Sequence, residues 1–173
     1  MRSPSEKEGE GILGNPETFL DWQVLIRLSS AAALGALLGI GREIRGKTAG
    51  LLTHMLISLG AALLTVTAYL IVAEAGPDTN SDPLRVIQGL GQALGFLAAG
   101  AVIRAGAEPH GLTTAVNLWI AGAIGIFCGA GFYFVAAATT IVTLLVLEVL
   151  FWIEQWWIAP EDQADPTSPA SRL

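Results

Sequence analysis

The fold that this sequence predicts is all-α: a polytopic membrane bundle of about five helices, with the N-terminus outside and the C-terminus cytoplasmic. Three observations predict it. The 173 residues are 53% hydrophobic and only 14% charged, where a soluble domain carries about a quarter charged residues. The charges gather at the two ends: Arg2, Glu6, Lys7, Glu8, Glu10, Glu17 and Asp21 at one, and Glu154, Glu161, Asp162, Asp165 and Arg172 at the other. Between them lie long apolar runs, and lipid satisfies no backbone hydrogen bond, so only helices and closed barrels span it. Residues 1–18 therefore read as a polar, disordered tail, residues 19–158 as the transmembrane domain and residues 159–173 as a disordered cytoplasmic tail.

The elements follow in order. A first span covers residues 19–41, with Trp22 as an interfacial aromatic and Arg27 as its interior charge. The cluster Arg42, Glu43, Arg45 and Lys47 is too polar for hydrocarbon and forms a loop. A second span, residues 51–73, contains no Asp, Glu, Lys or Arg and stops at Glu74, before the turn-rich 76–83. The third, residues 84–103, carries Gln88, Gln92 and several glycines, which places it inside the bundle. From 112 to 147 no charge occurs, and those 36 residues would reach ~54 Å as one helix against a hydrocarbon core of roughly 30 Å. A break at Cys128-Gly129-Ala130-Gly131 divides them into spans 112–127 and 132–151, with four spans plus a re-entrant segment as the rival reading. Orientation follows from the short connections: Arg42, Arg45, Lys47 and Arg104 fall on one side and only Arg85 on the other, which makes the first side cytoplasmic. Trp152, Trp156 and Trp157 then form an inner aromatic belt.

Small residues recur at four-residue spacing: Ala31, Gly35 and Gly39, then Gly91 and Gly95, then Gly125 and Gly129. Such faces let helices approach closely. The Gly35/Gly39 and Gly125/Gly129 faces suit either a homodimer or packing within the chain. The topology also gathers polar groups at one cytoplasmic-side layer: Arg42, Glu43, Thr53, His54, Arg104, Thr113, Thr114 and Asn117. Capping and interface anchoring are one reading of it, with Thr113 or Thr114 as the cap of the fourth span; a ligand site is the other. As a site, its excess of cations over Glu43 and Glu108 suits a phosphate, a lipid headgroup or an acidic partner surface, and not a bare magnesium ion, which prefers carboxylates. Arg27, near the outer end, is expected to reach the outer interface or a carboxylate such as Asp21 or Asp82, and not to pair with Glu148 near the inner end. Trp119 is expected to pack between helices, and Cys128 to sit at the outer turn.

The same residues exclude several functions. A net charge of −6 with acidic tails offers nucleic acid no basic stripe. The single cysteine excludes an internal disulfide. His54, with only His110 and Glu108 beside it as a second cluster, is too small a donor set for a metal. No nucleophile stands with a base and an orienter, so no catalytic residue, cofactor or enzymatic activity is expected. The expected partners are the lipid bilayer, a membrane-protein partner and a second copy of the chain.

Five blocks in order, Gly35-Ala36-Leu37-Leu38-Gly39-Ile40-Gly41-Arg42-Glu43, Ala49-Gly50-Leu51-Leu52-Thr53-His54-Met55-Leu56, Asp82-Pro83 with Arg85, Gly95-Phe96-Leu97-Ala98-Ala99-Gly100 running to Arg104, and Gly111-Leu112-Thr113-Thr114-Ala115 with Leu118-Trp119, resemble the MgtC/SapB family of membrane proteins. The resemblance covers residues 24–150. It implies a multi-pass protein of the bacterial inner membrane, associated in better-known members with growth under magnesium limitation and survival inside phagocytes. Those members are held to act on other membrane proteins, including the F-type ATP synthase, and not to transport magnesium themselves. Anionic-lipid binding through Arg42, Arg45 and Lys47, or an oligomeric pathway lined by Gln88, Gln92 and Asn117, are the alternatives. The chain departs from the family at Ala93 and Ala98, where glycine is common. It is also expected to lack the cytoplasmic ACT-type domain of larger relatives.

Overall fold

The computed structural model describes residues 22–76, 82–103 and 111–157. Among these residues the chain forms five helices and no strand: α1 Trp22–Ile44, α2 Leu51–Ala75, α3 Leu84–Ile103, α4 Leu112–Ala130 and α5 Tyr133–Trp157. Three of them, α1, α2 and α4, are long and apolar enough to cross a membrane. The expected helical membrane bundle is what the chain forms. It divides into two compact units, Met1–Thr140 and Ile141–Leu173. Among its described residues the second unit is the remainder of α5, with Ile141, Val142, Leu145, Val146 and Val149 exposed along it.

Glycine ends two of the helices in the same way. At the end of α1, Gly46 takes φ 64°, its N–H donates to the Glu43 carbonyl and the Lys47 N–H donates to the Arg42 carbonyl, each at 3.0 Å. At the end of α4, Gly131 takes φ 88°, its N–H donates to the Cys128 carbonyl at 3.0 Å and the Phe132 N–H donates to the Phe127 carbonyl at 2.8 Å. Both are Schellman motifs, which turn the chain while satisfying carbonyls that a helix end leaves over. The second motif is the break expected within the long uncharged run. It falls later than expected, so Cys128 lies buried inside α4 and not at the turn.

The core of the first unit is α1, α2 and α4. Arg27, Ala31, Gly35, Leu38, Gly39 and Arg42 form the buried stripe of α1, and its glycines set how closely α2 approaches. A Cβ on Gly35 would lie 2.7 Å from the His54 carbonyl oxygen, and one on Gly39 would lie 2.6 Å from the Leu51 Cα. On α4, Gly125 faces the Ser58 carbonyl, and a Cβ on Gly129 would lie 2.6 Å from the Ala62 carbonyl oxygen. Thus α2 runs antiparallel to α1 and parallel to α4, gripped between two glycine faces. The seams that sequence left open to a homodimer are filled within the chain.

The third helix departs from expectation. Its glutamines placed it inside the bundle, yet Gln88 and Gln92 are exposed, a Cβ on Gly91 or Gly95 would meet nothing within 4 Å, and among its described side chains only Leu90 and Leu94 are buried. The reason is a leucine stripe: the Leu94 side chain occupies the space above Gly122 of α4. In lipid, helix association follows such close packing more than polarity, so the leucine face docks and the glutamines stay outside. Beside the contact runs an apolar groove of about 300 Å³, lined by Ile87, Gly91, Leu94, Trp119, Ala123, Ile126 and Phe127. Trp119, expected between helices, lies in this groove half exposed.

Candidate functional site

Two arginines fasten α1 to α4. Arg27, 9% exposed, donates from Nη1 to the Gly129 carbonyl at 2.6 Å. Arg42, 6% exposed, donates from Nη2 to Thr114 Oγ1 and from Nε to the Ala49 carbonyl at 3.0 Å. The arginines stand fifteen residues apart on α1, and their α4 partners stand fifteen apart in the opposite direction. Fifteen residues of helix rise ~22 Å, so the two antiparallel helices are pinned near both ends. Guanidinium groups are costly to bury unless hydrogen bonded. Arg27 meets that demand on a carbonyl of the last turn of α4, where the helix dipole also favours a cation.

Arg27 is expected from sequence at the outer interface or on a carboxylate such as Asp21 or Asp82; among the described residues its guanidinium is held by the last turn of α4. Asp21 lies outside the described residues. The other expected partner, Asp82, accepts the Leu84 N–H at 2.9 Å through Oδ1 and so serves the start of α3.

At the opposite end of the clamp, α1 finishes where α2 and α4 begin. Glu43 reaches back across the loop, and its Oε2 accepts the Leu51 N–H at 3.1 Å, a carboxylate at a helix N-terminus. Gly50 leaves room for it, since a Cβ there would run into the carboxylate. His54 is fully buried and places Nδ1 2.8 Å from the Gly50 carbonyl. A carbonyl only accepts, so Nδ1 carries the hydrogen in this contact.

Within this core His54 Nε2, Ser58 Oγ and Asn117 Nδ2 are buried without a hydrogen-bond partner among the described residues. Their residues are 0%, 0% and 3% exposed. Ser58 was not anticipated from sequence, although it follows His54 by one helical turn. Nor was the clamping role of Arg27, although it precedes Ala31, Gly35 and Gly39 at the same four-residue spacing and therefore shares their buried face.

The polar layer read from sequence is thus brought together in part. Arg42 and Thr114 bond directly, Glu43 serves α2, and His54 and Asn117 are buried. Thr53 and Thr113 are exposed. Neither Thr113 nor Thr114 caps α4: its N-cap is Gly111, without a side-chain hydrogen bond, and the Thr114 hydroxyl accepts from Arg42 instead. Arg104, Glu108 and His110 lie outside the described residues. Of the glycines, Gly35, Gly39, Gly125 and Gly129 are packed against α2, whereas Gly91 and Gly95 face open space.

Comparison with known proteins places this architecture. The model of the MgtC family matches residues 28–156. The "Putative magnesium transporter YhiD" of Escherichia coli strain K12 is 37% identical over 134 residues, covering 73% of this chain and 60% of that protein. "Protein MgtC" of Brucella abortus strain 2308 is 37% identical over 123 residues, 71% of this chain and 49% of its own. "Protein MgtC" of Salmonella typhimurium is 36% identical over 128 residues, 74% and 52%. The chain therefore spans between about half and three fifths of the length of these relatives. No solved structure matches. The arginine clamp Arg27–Gly129, the Arg42–Thr114 junction and the glycine seams all lie within or at the edge of the matched segment, and the chain belongs to the MgtC family.

Proposed function

We propose that the chain is a non-enzymatic protein of the bacterial inner membrane that modulates another membrane complex through its helix faces. The F-type ATP synthase is the complex that the family resemblance implies, and adaptation to low magnesium or to life inside a host cell is the setting. The observation that supports this reading is the division of labour among the helices. Gly35 and Gly39 of α1 and Gly125 and Gly129 of α4 are spent on α2, while α3 keeps Gly91 and Gly95 uncovered. A small-residue face on a membrane helix is a surface on which a second helix packs closely. A photo-crosslinking residue at Gly95, introduced into the full chain in native membranes, is expected to capture one discrete membrane protein. Capture of lipid alone, together with unchanged magnesium-limited growth and membrane potential in a deletion strain, would refute the reading.

A second reading, an oligomeric solute or ion pathway, is favoured by the exposed Gln88 and Gln92 on α3. It requires flux in proteoliposomes that Gln92→Leu reduces; tight liposomes remove it.

A further inference from the structure

We propose that the end of the bundle where α1 finishes and α2 and α4 begin binds a phosphate-type oxyanion, recognised by Arg42, Thr114 and Asn117. The charge at this end favours an anion. Among the described residues of the junction, Arg42, Arg45 and Lys47 stand against one carboxylate, Glu43, and that carboxylate is engaged by the Leu51 N–H. Both α2 and α4 start here, so two helix dipoles present their positive ends.

The two starts are served unequally. The first amide of α2 meets Glu43, whereas the first turn of α4 has no side-chain cap and receives the guanidinium of Arg42 at Thr114. A cation facing a helix N-terminus is the unfavourable arrangement. The acceptors of Arg42 among the described residues, the Ala49 carbonyl and Thr114 Oγ1, are neutral oxygens. An oxyanion set between Arg42 and the amides of α4 turns that repulsion into two attractions.

A second observation is independent of charge. Asn117 is 3% exposed, and its Nδ2 has no hydrogen-bond partner among the described residues. It lies one turn beyond Thr114 on the same buried face of α4, and helical side chains lean back toward the N-terminus, which directs its amide at the Thr114 turn. An unmet buried N–H is costly, and an oxyanion oxygen is the acceptor that would meet it. The unmet atoms of His54 and Ser58 belong to α2 and are not part of this set.

Phosphate of this chemistry has two sources, a free ion or a lipid headgroup. Ile44, Leu52 and Leu112, 81%, 67% and 63% exposed, border the same end and would accommodate acyl chains. The test uses the full chain in an uncharged detergent, followed by thermal unfolding and native mass spectrometry. Inorganic phosphate is titrated in one arm, phosphatidylglycerol in mixed micelles in another, and phosphate-free diacylglycerol in a third. Saturable binding and stabilisation are expected from at least one phosphate source and not from diacylglycerol. A response to phosphatidylglycerol alone assigns the headgroup; a response to inorganic phosphate assigns the free ion. Asn117→Leu, which deletes the donor, is expected to weaken binding roughly tenfold. Asn117→Asp, which sets a carboxylate of the same size near Arg42, is expected to abolish it. The proposal is overturned if neither source binds saturably, or if either variant that folds binds as the native chain does.

Discussion

Single glycines show most directly how this chain spends its residues. A Cβ on Gly39 would lie 2.8 Å from the Gly50 carbonyl oxygen as well as 2.6 Å from the Leu51 Cα, and both contacts are backbone that has no side-chain freedom to yield. Gly39→Ala is therefore expected to cost ~1–3 kcal/mol through overpacking, read as a lower midpoint of reversible unfolding in mixed micelles. Gly95→Ala meets open space and is expected to be neutral, or to gain up to ~1 kcal/mol from helix propensity. Equal losses at both positions would remove the assignment of the α1 seam as filled and the α3 face as open. Sequence showed the two glycines at the same four-residue spacing and gave no basis for ranking them, because spacing reports which face a residue occupies and not whether another backbone lies against it.

Between elements, the clamp is the feature with measurable coupling. Arg42 and Thr114 come from helices seventy-two positions apart in the chain. Their hydrogen bond is charge-assisted, so a double-mutant cycle of Arg42→Gln and Thr114→Val is expected to return about 1.5–3 kcal/mol of coupling. A coupling near zero would mean that Thr114 is a bystander. The docking of α3 rests on a narrower base. Leu94→Ala removes the side chain that fills the space over Gly122 and is expected to raise hydrogen exchange throughout Leu84–Ile103 while α1 and α2 stay protected. Uniform protection after that substitution would show that α3 has a second anchor. The misplacement of α3 on sequence grounds has a definite cause: a polar residue in a membrane helix signals an interior position only when apolar docking does not decide first, and here two leucines decide.

For the whole molecule, the positive-inside rule predicts that the loop carrying Arg45 and Lys47 faces the cytoplasm. Cys128 is the only cysteine and is buried, which gives a low background for Lys47→Cys labelled with a membrane-impermeant maleimide. Labelling only after the membrane is opened is expected in intact cells; labelling from outside would invert the topology. Much of the molecule was legible without coordinates. The scarcity of charge dictated lipid, the long uncharged run dictated a break near Gly131, and the five motif blocks pointed to the family. Arg42, Thr114 and Asn117 could be assigned to one layer because helix ends are legible in composition. What only the tertiary structure decided is which of these groups meet. A hydrogen bond depends on the rotation of each helix about its axis and on the register between helices, and those are set by glycine contacts distributed over three segments. The same register gives Arg27 to the end of α4, leaves Asn117 Nδ2 without a hydrogen-bond partner among the described residues and exposes the glutamines of α3. Composition fixed the solvent in which this chain lives, and close packing of backbones fixed what its few polar side chains do there.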